Sequence, residues 1–151
     1  MSIRSRLVQR AFQDPADEAV VGLFIVAGAL DDLAEAACAG HGITAVQYNV
    51  LRILRGVHPE GHPRGEIARR LITRAPDVTR LLDRLVRNGY VERHWDADNR
   101  RLSIARITSK GLKLLTELDP KIGRIQDHAT RKLSKADLKS LVRILNLMVE
   151  D

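Results

Sequence analysis

Hydrophobic positions along this chain recur with two different periods, and the changes of period mark out its elements. A long helical segment runs from Asp14 to about Cys38. Asp14 is placed to cap it, Pro15 suits its first position, and Asp17 and Glu18 complement the positive end of its dipole. Its middle, AVVGLFIVAGAL, is apolar nearly all round. A surface helix shows a single apolar stripe, so this pattern predicts burial on more than one side, between the body of the domain and a second subunit. Gly40 ends the segment. Thr44-x-x-Gln47 is a capping box that opens a second helix, with Val46, Val50, Leu51, Ile53, Leu54 and Val57 as its apolar face. The loop GVHPEGHP, rich in Gly and Pro, terminates it.

A third helix is expected from about Pro63 to Leu71, with Ile67, Ala68 and Leu71 inward. Pro76 marks the start of a fourth, with Ala75 before it. In that helix Val78, Leu81, Leu82, Leu85 and Val86 form a stripe at helical spacing, and Asn88-Gly89 stops it. The period then changes. Tyr90 to Trp95 reads as a strand, Asp96-Ala97-Asp98-Asn99-Arg100 as a turn, and Leu102 to Ile107 as the returning strand. Thr108 caps a fifth helix that continues to about His128. Ser134-x-x-Asp137 caps a sixth, with Leu138, Leu141, Val142, Leu145 and Met148 inward. The expected fold is mainly α, a winged helix-turn-helix with a two-stranded β wing flanked by N- and C-terminal helices. The whole chain, 1–151, reads as one domain, with a winged lobe over about 44–108 and dimerisation helices over about 12–40 and 109–151.

Charge sharpens this picture. The formal net charge is +6 and the pI about 10.0, which suits a polyanionic partner. Residues 1–63 carry 5 basic and 7 acidic groups, whereas residues 64–101 and 102–151 each carry 10 basic and 6 acidic groups. The positive field therefore begins where the winged unit begins. One cysteine, Cys38, excludes an internal disulfide and fits a reducing cytosol. The N-terminus MSIRSRLVQR has no apolar signal core, and the longest apolar run, Val20 to Leu30, is too short to span a bilayer. A cytoplasmic protein without a membrane partner is expected.

A helix that enters the major groove must bury one stripe and offer the other to bases and phosphates. Opposite the apolar stripe of the fourth helix lie Asp77, Thr79, Arg80, Asp83, Arg84 and Arg87. Arginine there can contact guanine in bidentate fashion, worth about 1–3 kcal/mol of discrimination. Thr79 suits a phosphate or a thymine methyl. Asp77 either accepts from a cytosine amine or orients Arg80 or Arg84, and Asp83 and Arg87 are spaced as an intrahelical pair. Arg64, Arg69, Arg70 and Arg74 are candidate phosphate contacts around the third helix. A wing tip carrying Arg100 and Arg101 suits the minor groove, whose potential attracts arginine; the alternative is that these arginines pair with Asp96 and Asp98.

Gln47 with VLRIL, GEIARRL, VTRLLDRL followed by GYVER, NRRLSIARIT and Gly111 together resemble the MarR family of bacterial transcription regulators over roughly residues 40–115. The resemblance implies a homodimer joined through the first and last helices. It implies binding to a pseudo-palindromic DNA operator, usually as a repressor released by a small-molecule effector or an oxidant. It assigns Pro76 to Asn88 as the recognition helix and Arg101 as the wing arginine. The chain departs at Asn99, where the family usually has Asp, and at Pro76 and Asp77, where a small hydroxyl residue is common.

The family's effectors bind near the junction of the dimer helices and the winged unit, which makes Tyr48 and His41 candidates for that role. Core packing is the competing reading for Tyr48. Cys38 has no basic neighbour in sequence to activate it, so inert burial is favoured. His58 and His62 lie in a Gly/Pro loop without a further ligand pair, so neither a metal nor another cofactor is expected. No nucleophile motif or phosphate loop supports an enzyme. The rival function is a winged-helix module that binds protein without reading DNA, and the outward arginines of the fourth helix argue against it. An RNA-binding module is also disfavoured, because aromatics make up only 3% of the chain and none lies on that outward face.

Overall fold

The structure is a computed structural model that describes residues 12, 14–95 and 103–149. Its elements follow in the order α1 (Pro15–Ala39), α2 (Ala45–Arg55), β1 (His62–Pro63), α3 (Arg64–Arg70), α4 (Val78–Arg87), β2 (Val91–Trp95), β3 (Ser103–Ile107), α5 (Ser109–Thr130) and α6 (Lys135–Val149). The expected helix starts are made by side chains. Asp14 Oδ1 accepts from the Asp17 N–H at 2.8 Å. Thr44 and Gln47 form the reciprocal capping box, with bonds of 3.2 and 3.0 Å. Ser134 and Asp137 do the same ahead of α6, and the Ser134 bonds hold the Asp137 carboxyl below its ordinary pKa.

Several expectations are corrected. The sheet has three antiparallel strands in the order β1-β3-β2, because His62 and Pro63 pair with Ala105 and Ile104. A two-residue strand shows no period for a sequence to reveal, and the proline is tolerated because β1 is an edge. The fourth helix begins at Val78, not at Pro76. Asp77 is its N-cap, accepting from the Arg80 N–H at 3.0 Å, so Pro76 belongs to the turn before it. Ala68 is also exposed rather than inward. α5 runs through Pro120, an interior proline that forfeits a backbone hydrogen bond yet does not end the helix.

The core sits where α2, α4 and α5 meet the sheet. Val50, Leu51, Leu54, Ile67, Leu85, Leu115 and Leu118 are fully buried there. α1 and α6 stand outside it. Of α1 only Gly22 and Cys38 are buried, and α6 buries nothing against its own chain. The apolar stripe expected to face inward on α6 is largely open within one chain: Leu141, Val142, Leu145 and Met148 are exposed, and Leu138 is half-buried.

The junction of α4 and the sheet is tightly specified. The Gly89 N–H bonds to Val86 and the Tyr90 N–H to Leu85, both at 2.9 Å, a Schellman stop that needs the positive φ of Gly89. Thr108 Oγ1 then donates to the Gly89 carbonyl at 2.7 Å and accepts from the Gly111 N–H at 3.1 Å. α5 thereby starts against the end of α4. A side chain at Gly111 would collide with the Tyr90 carbonyl and the Ile107 side chain, so this position admits only hydrogen.

Gly111→Ala is expected to lower stability by about 1–3 kcal/mol through overpacking. Gly65→Ala, where a Cβ meets nothing within 4 Å, should raise it by roughly 0.5 kcal/mol through helix propensity. Urea midpoints at unchanged slope measure both; a Gly111→Ala protein as stable as the parent would refute the close approach.

Candidate nucleic-acid interface

The candidate surface is built on α4. Val78, Leu82 and Leu85 are buried on one face, which turns Thr79, Arg80, Arg84 and Arg87 to solvent on the other. One Asp77 carboxylate oxygen caps the helix, and the other pairs with Arg80 Nε at 3.1 Å. The Arg80 side chain is still 83% exposed, so it is held at its base and open at its tip. Among the described residues, Arg84 has no acidic partner. Asp83 does not pair with Arg87 as the spacing suggested; it accepts from Arg93 on β2 at 2.9 Å and so ties the wing to the helix.

Around α3, Arg64 is exposed at the helix start. Arg69 and Arg70 both pair with Glu66, and the Arg69 guanidinium in particular holds that carboxyl below its ordinary pKa. These two arginines keep their charge near the surface but share it with a carboxylate. Arg74 and Pro76 are exposed in the turn between α3 and α4. Asn99, Arg100 and Arg101, with Asp96 and Asp98, lie outside the described residues.

A cavity of about 640 Å³ opens between α1, α2, α5 and the turn before α4. Phe24, Ile72, Ile122 and Ile125 make it apolar, and Tyr48, Asn49, Arg52 and Asp31 supply polar groups. Tyr48 is buried, as core packing requires, and it also lines this cavity. Its hydroxyl donates to Asp119 at 3.4 Å, and Arg55 donates to the same carboxylate at 2.6 Å. Burial pushes the Tyr48 hydroxyl up in pKa, with the Arg52 charge pulling partly against it. Asn49 Oδ1 accepts from the Ile72 N–H at 3.0 Å and fixes the turn that leads into α4. His41 is not among the residues lining the cavity; it meets Lys121 Nζ at 2.8 Å and Glu117 at 3.7 Å on α5. The bonds made by Asn49, Asp83 and Asp119 join residues far apart in sequence, and no local pattern announces them.

Among the described residues no group of three or more His, Cys, Asp and Glu is placed to hold a metal ion, and no helix is long and apolar enough to cross a membrane. Cys38 is fully buried.

Comparison with known proteins agrees with this geometry. A sequence model described as the MarR family matches residues 43–103. The chain is 36% identical to a MarR transcription factor from Planctomyces limnophilus, covering 91% of this chain and 99% of that one, with a TM-score of 0.69. It is 25% identical over 105 residues to the HTH-type transcriptional regulator MhqR of Bacillus subtilis, covering 70% of this chain and 71% of that protein. It shares the fold of a mutant MarR from E. coli solved with operator DNA, at a TM-score of 0.75, 24% identity and coverage of 85% and 91%.

Burial first, and the Glu35 charge second, push the Cys38 thiol up to about 11. Since only the thiolate reacts, Cys38 should resist an aromatic disulfide reagent at pH 8 in the native protein and react fully in denaturant. Rapid modification of the folded protein would show that this thiol is open and activated.

Proposed function

The chain belongs to the MarR family, and on that premise we propose that it is a sequence-specific, DNA-binding transcription regulator acting as a cytoplasmic homodimer. The observation that carries the reading is the division of α4 into a buried apolar face and an exposed face bearing Thr79, Arg80 and Arg84. An arginine anchored at its base by Asp77 enters a groove with less conformational entropy to lose. In this reading Arg80 and Arg84 read bases. Thr79, Arg64, Arg69 and Arg74 contact phosphates, Pro76 and Asp77 set the helix start, and Asn99, Arg100 and Arg101 form the wing tip. The lobe over about 44–108 holds these residues, and the segments at about 12–40 and 109–151 pair two chains.

Self-pairing has its own support. Large apolar side chains stand exposed along α1 and α6, among them Phe24 at 74% and Leu147 at 61%. A monomer rarely leaves so much apolar surface in water. Two-fold pairing would set two α4 helices about one turn of DNA apart, on a pseudo-palindrome. The cavity beside Tyr48 and Arg52 suits a small apolar effector with an acidic or phenolic group, which would release the protein from its operator as a ligand releases a repressor. Regulation through binding needs no catalytic group, and the protein is read as a non-enzyme.

Fluorescence anisotropy against the DNA upstream of the gene, at several salt concentrations, tests this. Arg84→Ala and Arg80→Ala should each cost about tenfold in operator affinity and narrow the gap to scrambled DNA, whereas Arg64→Ala weakens binding to all duplexes alike. Equal affinity of the parent for operator and scrambled DNA would refute sequence-specific reading. Sedimentation should give about twice the 16.9 kDa chain mass, and a Val142→Arg, Leu147→Arg double variant should shift it toward monomer. An unchanged dimer would take α6 out of the interface.

A further inference from the structure

Trp95 is the chain's one tryptophan, and it stands 70% exposed at the outer end of β2. Tryptophan contributes a large apolar area, so a mostly solvated one gives the fold little. Its direction is set by the strand. Side chains at alternate positions share a face, which puts Val91, Arg93 and Trp95 on one side of β2. Val91 is buried in the core, and Arg93 reaches Asp83 on α4 at 2.9 Å. Trp95 therefore projects from the face of the wing that looks toward α4.

β2 packs beside α4, to which Arg93 ties it through Asp83 at 2.9 Å. Trp95 lies two residues further along the strand, about 6.6 Å beyond Arg93. Trp95 is thus an exposed apolar side chain on the strand that flanks α4, the helix whose outward face carries Arg80 and Arg84.

We propose that Trp95 is a DNA-contacting residue whose indole packs against the sugar–phosphate backbone bordering the groove that α4 would occupy. The deoxyribose faces offer C–H surface to the ring, and the indole N–H can donate to a phosphate oxygen. Such a contact carries no base information and no charge. It adds affinity for every duplex and leaves the salt dependence of binding untouched. The inference rests on the DNA-reading function proposed above.

Because the chain has one tryptophan, emission excited at wavelengths that its two tyrosines do not absorb reports on this side chain alone. The probe is a 30-base-pair duplex selected by the parent protein from a random library. On adding it, quenching of the emission by acrylamide should fall. Trp95→Ala should lose about 5- to 30-fold in affinity for selected and scrambled duplexes alike, at an unchanged salt slope and thermal midpoint. Trp95→Phe, which keeps an aromatic face, should recover part of the loss. If the parent binds the duplex while quenching stays constant, or Trp95→Ala binds as tightly as the parent, the inference is overturned and the DNA-reading function stands. An emission change driven by protein concentration without DNA would assign Trp95 to self-association and overturn it as well. A parent that binds no duplex at all removes the function and the inference together.

Discussion

The burial of Val78, Leu82 and Leu85 is the constraint on which the rest of the molecule depends. A helix turns about 100° per residue, so fixing three inward positions fixes every outward one. Thr79, Arg80 and Arg84 face solvent because their neighbours cannot. The Asp77 cap then sets where the helix starts, and the Gly89 stop sets where it ends. Thr108 and Gly111 pass that geometry on to α5, and Arg93 passes it to the wing. The exposed face of α4 is therefore a consequence of packing, with little freedom to be rearranged one residue at a time.

The cavity shares its walls with this apparatus. α2 gives Val50, Leu51 and Leu54 to the core and turns Tyr48, Asn49 and Arg52 to the cavity. Ile72 and Thr73 line it from the turn that leads into α4, and Asn49 holds that turn by a single hydrogen bond. Asp119 links α5 to α2 through Arg55 and Tyr48. A ligand seated there touches elements that also position the recognition helix.

Charge and hydrophobicity divide the labour between the parts of the chain. The basic excess begins at Arg64, in the unit that carries the candidate interface. Most of the exposed large apolar side chains lie on α1 and α6, away from the core. One surface suits a polyanion and the other a copy of the same chain, and the two do not compete for the same residues.

Much of this was legible in the sequence by itself. The six helices, their caps at Asp14, Thr44, Thr108 and Ser134, the α4 stripe and the Gly89 stop are local, because caps and periodicity act within four residues. What acts across the chain was not. The β1 strand needed a partner more than forty residues away and was too short to show a period. The start of α4 was misplaced by two residues because Pro76 and Asp77 are both good helix openers, and only the bond that the Arg80 N–H donates to Asp77 separates them. Asp83 found Arg93 rather than Arg87 because a strand packed beside the helix offered a closer cation. Local chemistry thus determined which elements form and which residues they expose, while tertiary packing decided which charges meet, since hydrogen bonds and ion pairs depend on distance in space and not on separation along the chain.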